Sequence, residues 1–340
     1  MLYQINLTKM LQGAKESLSR CRFKPNHTVS LLIFLLVSVI STVPQEILVS
    51  LGLTLSMFTD PAFYDLLDPS VFDPNALIEY MLELMVNMPS WLYIVMLAAS
   101  GFMILFSILY CRIFEKRKPY TLGFTKNGCV TEYFMGIIIG FLMICAPVLA
   151  CKITGCVTLN INESINPTMI LLFFIAFVFQ GLGEEALFRG YLMTSIARRS
   201  NIWYAIIISS LMFSIFHIGN ASFSFIAFIN IFLFGVFASV FMLKRGSIWA
   251  VGAIHTVWNF SQGNVFGMNV SGIQKLDSIF EATQANHGAI LHGGSFGPEG
   301  GLGVTIILLI MIAISLLLPT KAGEYVPVEE KTSQESTENI

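Results

Sequence analysis

The chain has 340 residues, of which 55% are hydrophobic and only 12% are charged, and its mean hydropathy is +0.74. Soluble globular proteins carry roughly 25% charged residues, so this composition excludes an ordinary soluble domain. The net charge of −2 comes without a basic stripe, and we expect no nucleic acid partner. The six cysteines form neither a CxxC pair nor a zinc-knuckle spacing, and they predict no disulfide framework.

Eight apolar segments are long enough to be membrane-spanning helices, which need about 20 mostly apolar residues. They cover residues 29–52, 90–111, 132–151, 167–189, 202–219, 223–243, 247–265 and 302–318. The prediction is an all-α, polytopic membrane helix bundle with about eight transmembrane helices, surrounded by the lipid bilayer. Residues 1–28 are polar and basic and lack a small-residue cleavage site, so we expect the first helix to be retained.

Basic residues cluster in every second connection between these segments. They occur in residues 1–28 and 112–126, at Arg198 and Arg199, and at Lys244 and Arg245. Lysine and arginine accumulate on the cytoplasmic side of membrane proteins, so we predict a cytoplasmic amino terminus and a multi-pass protein of the cell membrane. The connection 53–89 carries six acidic residues and no basic one, and it is assigned to the outside.

These signals divide the chain into regions. We predict a basic cytoplasmic segment over 1–28, accessory helices over 29–164, a core over 165–265, a glycine-rich external connection over 266–301, a last transmembrane helix over 302–318, and an acidic, disordered tail over 319–340. Within 53–89, the stretch PNALIEYMLELMVNM has helical spacing. It predicts either an interfacial helix or a short packed helix.

Ionisable and polar side chains interrupt three of the apolar segments. They are Glu184, Glu185 and Arg189 at the end of the fourth, Phe213 and His217 as an i,i+4 pair in the fifth, and His255 and Asn259 in the seventh. Ionisable groups at bilayer depth are costly and usually mark a function or a buried pair. If the fourth and fifth helices form a hairpin around the turn RRSN, Glu184 and His217 lie at matching depth. We therefore predict a joint site in the cytoplasmic half of the bilayer.

Helical spacing separates the two glutamates. Glu185 and Arg189 are four residues apart and can pair on one helix face. Glu184 points about 100° away from that face and stays free of the pair. Each polar residue also has a purely structural interpretation, because a single membrane histidine or asparagine is usually an interhelical hydrogen-bond partner. Agreement in depth among three helices favours a functional site.

These side chains predict hydrolysis of an amide bond inside the membrane. A carboxylate and an imidazole around one water can act as a general base, and a second histidine with an amide can stabilise the oxyanion. Alternatively, Glu184, His217 and His255 could bind Zn²⁺ and leave one position open for water. The sequence leaves both alternatives open.

Other protease motifs are absent or poorly placed. The sequence contains no HExxH motif, so a zincin-type metalloprotease is not expected. The stretch GGSFG, residues 293–297, matches GxSxG but lies in a glycine-rich connection without a preceding strand. His287 and His292 lie in the same connection. We expect it on the opposite side from the site.

The three motifs resemble those of the CPBP intramembrane proteases. This family includes the type II CaaX prenyl endopeptidases and bacterial relatives of the Abi and bacteriocin-immunity type. Its patterns are EExxxR, FxxxH and HxxxN/D, and this sequence contains EEALFR at 184–189, FSIFH at 213–217 and HTVWN at 255–259. The resemblance covers about residues 165–265, with a looser likeness in GGSFGPEGGL.

The resemblance implies an active intramembrane endopeptidase, of either the glutamate type or the metalloprotease type. Glu184 and His217 would activate the water. His255 and Asn259 would form the oxyanion site or complete a metal site.

The resemblance also implies that Glu185 and Arg189 shape the motif helix. The chain looks bacterial, so we expect a peptide or membrane-protein substrate rather than a prenylated protein. One alternative is a non-catalytic membrane scaffold or immunity protein with the same fold. Another is an unrelated transporter, although no internal repeat supports it.

Overall fold

The computed structural model describes residues 9–70, 72–273 and 276–320. The predicted acidic tail lies almost entirely outside these ranges. The helices are α1 (Lys9–Arg20), α2 (His27–Thr59), α3 (Pro61–Leu66), α4 (Pro74–Val86), α5 (Ser90–Ala99), α6 (Gly101–Ile113), α7 (Cys129–Ile153), α8 (Pro167–Glu185), α9 (Thr194–Ala197), α10 (Ile202–Ile215), α11 (Phe225–Arg245), α12 (Trp249–Phe260), α13 (Ala289–His292) and α14 (Leu302–Leu317). Two π-helical segments, Ala186–Met193 and Ser261–Val265, continue α8 and α12. The predicted all-α helix bundle is confirmed.

Five helical segments within the described residues are long and apolar enough to cross a membrane, judged by length and composition. They are His27–Thr59, Ser90–Ile113, Cys129–Ile153, Pro167–Ala197 and Phe225–Arg245. Helices α10 and α14 are apolar but shorter, and α12 with its π-helical continuation covers residues 249–265. Each predicted segment therefore corresponds to helical structure, and the protein is a multi-pass membrane protein.

Helix α12 packs closely against α7 and α8. A Cβ atom added at Gly140 of α7 would lie 2.7 Å from the carbonyl oxygen of Ile254. One added at Gly181 of α8 would lie 2.8 Å from the backbone nitrogen of Thr256. Small residues allow helices to approach closely inside membranes. These two glycines therefore hold α12 where its polar side chains can reach α8.

The basic connections meet at one end of the bundle. Arg198, after α9, pairs with Glu115 at 2.6 Å and donates a hydrogen bond to Ser17 of α1 at 3.1 Å. Arg245, at the end of α11, pairs with Glu132 near the start of α7 at 2.6 Å. These contacts bring together the connections that the charge bias assigns to the cytoplasm.

A short β ribbon, which the sequence analysis did not predict, lies at the other end. Strand β1 (Val157–Ile161) pairs antiparallel with β2 (Phe280–Gln284), and Val157 lies opposite Gln284. Val157, Thr158 and Ile161 are β-branched and suit a strand. The ribbon connects the segment after α7 to the glycine-rich connection 266–301.

Helix α4 is the helix predicted within residues 53–89, and none of its residues is buried. Ile78, Leu82 and Met85 are each more than half exposed, which favours the interfacial alternative over a packed helix. The Tyr80 hydroxyl donates a hydrogen bond to Asp60 at 2.8 Å. Desolvation and this hydrogen bond raise the pKa of Tyr80, so its hydroxyl keeps the proton that it donates.

Candidate active site

A cavity of about 300 Å³ lies between the motif helices and α2. All four residues predicted to act together line it, and they are Glu184, His217, His255 and Asn259. Aromatic side chains, including Phe177, Phe213 and Phe234, form much of the remaining wall. Three helices that are distant in sequence thus bring polar groups to one mostly apolar space.

Glu184 has one bonded oxygen and one oxygen without a partner. Gln180, one turn earlier on α8, donates from Nε2 to Glu184 Oε1 at 2.7 Å. Glu184 Oε2 is buried, has no hydrogen-bond partner among the described residues, and lies 3.6 Å from His255 Nε2. A buried polar atom without a partner is costly. Glu184 therefore retains the capacity to bind a polar group that enters the cavity.

Glu185 bonds to two side chains and orients one of them. Its Oε1 accepts hydrogen bonds from Arg189 Nη1 at 3.1 Å and from His255 Nδ1 at 2.9 Å. The pair with Arg189 is the one that the spacing predicts, whereas the bond to His255 was not predicted. Because an ionised carboxylate only accepts hydrogen bonds, His255 Nδ1 is the donor. His255 Nε2 is then turned toward Glu184.

Phe213 explains the spacing of the FxxxH motif. Its carbonyl oxygen lies 2.7 Å from His217 Nδ1, and a carbonyl only accepts hydrogen bonds. His217 therefore carries a proton on Nδ1, and in the neutral ring Nε2 keeps its lone pair. The ring of Phe213 also lies 4.1 Å from the guanidinium carbon of Arg189, a cation–π contact that links the first two motifs.

Gln180 joins two of the motifs, and the sequence analysis missed it. Its Oε1 accepts a hydrogen bond from Asn259 Nδ2 at 3.0 Å, while its Nε2 donates to Glu184. A side-chain amide nitrogen has two N–H groups, so Asn259 keeps one for another acceptor. A signal was present, because Gln180 is the one polar residue in MILLFFIAFVFQ, residues 169–180.

The EExxxR motif passes from an α-helix into a π-helix, which the sequence analysis did not predict. The π-helical segment begins directly after Glu185 and contains Arg189. Such segments occur frequently at functional sites. Ser209 of α10 donates a hydrogen bond to the carbonyl oxygen of Phe188 at 2.8 Å. The irregular backbone is thereby bonded to α10, and His217 lies in the turn that directly follows this helix, whereas the sequence placed it within the fifth helix.

The connection 266–301 also reaches the cavity. Glu299 and Ser271 line it, so the expectation that this connection lies away from the site is wrong for these residues. Trp258 Nε1 donates to Glu299 Oε1 at 3.2 Å. Ser271 donates to Glu299 Oε2 from its backbone nitrogen at 2.8 Å and from its hydroxyl at 2.6 Å. His287 and His292 lie outside the cavity lining.

The metal alternative requires three donors around one ion. Among the described residues, no group of three or more His, Cys, Asp or Glu side chains is placed to hold a metal ion. Glu184 Oε2 and His255 Nε2 lie 3.6 Å apart, and hydrogen bonds at Nδ1 leave Nε2 as the available ring nitrogen of both histidines. The described side chains nevertheless form no three-donor set for Zn²⁺, and the mechanism below uses no metal.

Comparison with known protein families supports the resemblance. Residues 166–261 match a family model described as Rce1-like, type II CAAX prenyl endopeptidase. The matched range contains the three motifs but neither α2 nor Glu299. Comparisons with curated proteins and with solved structures found no significant match.

Proposed function

We propose that the protein hydrolyses a peptide bond of a membrane-associated peptide or protein, and the match of residues 166–261 to the Rce1-like type II CAAX prenyl endopeptidase model supports this proposal. One observation carries the proposal beyond the family level. Glu184, with a buried oxygen that lacks a partner, shares one cavity with His217, His255 and Asn259. This set can supply both a general base and oxyanion donors.

Glu184 and His217 activate the water in the proposed mechanism. Before the attack, Glu184 Oε2 accepts a hydrogen bond from one O–H group of the water, and the His217 Nε2 lone pair accepts a hydrogen bond from the other. As the water oxygen attacks the carbonyl carbon, Glu184 takes up the proton. The hydrogen bond from Gln180 keeps the opposite oxygen of Glu184 in place during this step.

Asn259 and His255 stabilise the oxyanion. Asn259 donates the N–H that Gln180 does not use, and His255 donates from Nε2 in its doubly protonated form. Donors held in place before the reaction are effective because they need no reorganisation. The C–N bond then breaks, and Glu184 returns its proton to the leaving amine. The products are one amine and one carboxylic acid, which gives up its own proton to the amine or to solvent, and Glu184 is ionised again.

Glu185 and Arg189 act through position rather than contact with the substrate. Glu185 fixes the His255 ring by accepting from Nδ1. Arg189 balances the charge of Glu185 in a fully buried environment. Removing Arg189 would leave a buried charge without its main partner.

Comparative peptidomics of membranes and culture medium tests the proposal. Cells would produce wild type, Glu184→Gln or His217→Asn at matched levels. We expect peptides with new termini in wild type that are missing from both variants. Glu163→Gln, an exposed change in the connection between β1 and α8, serves as the control and should retain all cleavages.

The same experiment separates the protease from the alternatives. Identical peptide profiles in wild type and both variants would contradict the proposed function. An intact cellular phenotype in the variants would then support a non-catalytic scaffold or immunity protein. Solute uptake by vesicles that contain the wild type would instead support a transporter.

A further inference from the structure

Glu299 is a carboxylate in the cavity that neither the three motifs nor the matched family range includes. It is only 9% exposed and lines the cavity together with Trp258 and Ser271. Its two oxygens are held by Trp258 Nε1 and by the backbone nitrogen and hydroxyl of Ser271. Asn230 of α11 also donates to the Glu299 carbonyl oxygen at 2.8 Å. The carboxylate is therefore held in one orientation beside the site.

The donors that bind Glu299 are all neutral, so they do not cancel its charge. No lysine or arginine is among the described residues that line the cavity. Arg189, the nearby cation on the motif helix, is paired with Glu185 and does not line the cavity. An ionised carboxylate in an apolar space is stabilised most by a cation. A cationic group of the substrate would provide that stabilisation.

The cavity wall suits the stem of a long basic side chain. Trp258 and Phe234 line the cavity with ring centroids 5.9 Å apart. Lysine and arginine pack their methylene groups on apolar surfaces, and their charged ends interact favourably with aromatic faces. Trp258 also precedes Asn259, the proposed oxyanion donor. A side chain bound at Glu299 would therefore lie close to the scissile bond.

The connections on the predicted external side are acidic, so they favour cationic ligands as Glu299 does. Apart from Glu299, residues 53–89, 154–166 and 266–301 together contain nine acidic residues and one basic residue. A field of one sign attracts ligands of the opposite sign and raises their rate of association. Cationic peptides would be concentrated at the end of the bundle where the connection 266–301 reaches the cavity.

We propose that Glu299 forms a substrate-binding subsite for a cationic group, so that the preferred substrate is an apolar peptide with a lysine or arginine near its scissile bond. This inference rests on the proposed protease function. A subsite of this kind differs from one that recognises a free terminal carboxylate, which would need a cationic side chain. Among the described residues, no lysine or arginine lines the cavity to bind such a carboxylate.

Cleavage of a synthetic peptide library by the full-length protein in neutral phosphatidylcholine nanodiscs tests the subsite. The peptides are apolar and long enough to span a bilayer, and one position at a time carries Lys, Gln or Glu. We expect lysine at one fixed distance from the scissile bond to raise kcat/KM roughly tenfold or more over glutamine, as a charge-assisted hydrogen bond allows. Glu299→Gln should bring this ratio close to one.

Two further variants separate charge recognition from a structural role. Trp258→Phe removes one hydrogen bond to Glu299 but keeps the carboxylate, so the preference for lysine should remain. Glu16→Gln, an exposed change on α1 at the basic end of the bundle, should alter neither the rate nor the preference. If Trp258→Phe and Glu299→Gln lose the preference equally, Glu299 is a structural clamp and the inference is wrong.

The outcomes also distinguish this inference from the proposed function. Cleavage that depends on Glu184 but shows no preference for lysine in wild type would overturn the subsite alone. Identical products from wild type and Glu184→Gln would overturn the protease proposal itself.

Discussion

Two clusters of buried charge in this protein are built differently. The basic-end cluster consists of Glu115, Arg117 and Arg198, and each of them is at most 5% exposed. Arg117 Nη1 donates to Glu115 and Ser195 at 2.8 Å each. Its Nη2 and Nε donate to the carbonyl oxygen and the hydroxyl of Thr121 at 3.0 and 3.1 Å. The other Glu115 oxygen accepts from Arg198, so hydrogen bonding in this cluster is nearly complete.

The cavity cluster consists of Glu184, Glu185, Arg189 and His255, and its hydrogen bonding is incomplete. One oxygen of each glutamate and two nitrogens of Arg189 are buried without a partner among the described residues. The basic-end cluster leaves one such atom, Nε of Arg198. The two clusters thus use similar residues but differ in how many polar atoms remain unbonded.

The difference is the one expected if the basic-end cluster stabilises the fold and the cavity cluster takes part in the proposed hydrolysis. Burying charges is costly unless hydrogen bonds compensate for lost water, and the basic-end cluster obtains that compensation from its own bundle. Unbonded buried atoms in a native structure call for an explanation. In the cavity cluster one of these atoms, Glu184 Oε2, belongs to a residue that lines a space of about 300 Å³, which can admit a water and a substrate.

Replacing Glu184 should produce the largest effect on activity. Glu184→Gln keeps the shape and the contact with Gln180 but removes the general base, so we expect kcat/KM to fall by roughly 10²–10⁴-fold. The midpoint of thermal unfolding in detergent should stay close to that of wild type, because Glu184 Oε2 makes no hydrogen bond to lose. Substantial cleavage by a folded Glu184→Gln protein would remove this residue from the mechanism.

The arginines of the two clusters test the comparison directly. Arg117→Ala and Arg189→Ala each leave a buried glutamate with one fewer cation, and we expect the free energy of unfolding to fall by about 3–5 kcal/mol. The two variants should differ in the activity of the molecules that still fold. Arg117→Ala should retain the wild-type rate, whereas Arg189→Ala should be slower because Glu185 also orients His255.

Unfolding in mixed micelles and activity per folded molecule measure these two effects separately. Arg117→Lys provides a control for Arg117→Ala. Lysine keeps the positive charge, but it has fewer N–H donors than arginine and cannot form all the hydrogen bonds of Arg117. This variant should show a smaller loss of stability than Arg117→Ala. Equal losses of activity in Arg117→Ala and Arg189→Ala would show that the distinction between the clusters is wrong.

The sequence predicted the helices and the motif residues because both depend on local signals. Ionisable residues such as Glu184 and His255 are conspicuous in apolar segments, and the Glu185–Arg189 pair follows from helical spacing alone. Each of the eight apolar segments contains helical structure, as its length and apolar composition predict. The catalytic roles of these residues remain proposals, which the variants above test.

The features that the sequence analysis missed depend on packing between distant segments. The Glu185–His255 bond requires α8 and α12 to meet closely at Gly181, and spacing within one helix does not report such a contact. The β ribbon pairs two five-residue strands that are far apart in the chain. Glu299 reaches the cavity because its connection folds back onto α12, against the expectation from topology.

Replacing Gln180 should produce the smallest effect, because this residue is not part of the cavity cluster and only bonds to Glu184 and Asn259. Gln180→Leu has a similar volume, but it removes the donor to Glu184 Oε1 and the acceptor of Asn259 Nδ2. Net hydrogen-bond contributions of about 1 kcal/mol each predict a decrease in kcat of roughly thirtyfold, with little change in KM. Initial rates over a range of substrate concentrations separate the two parameters.

The control for Gln180→Leu is Gln262→Leu. Gln262 is also buried, and its amide donates to the carbonyl oxygen of Asn269 at 2.7 Å, outside the cavity lining. Its replacement should lower stability by a similar amount and leave kcat unchanged. A raised KM with unchanged kcat in Gln180→Leu would instead assign Gln180 to substrate binding, because loss of uniform binding changes KM alone. Equal decreases in kcat for both variants would mean that Gln180 acts through packing rather than through Glu184.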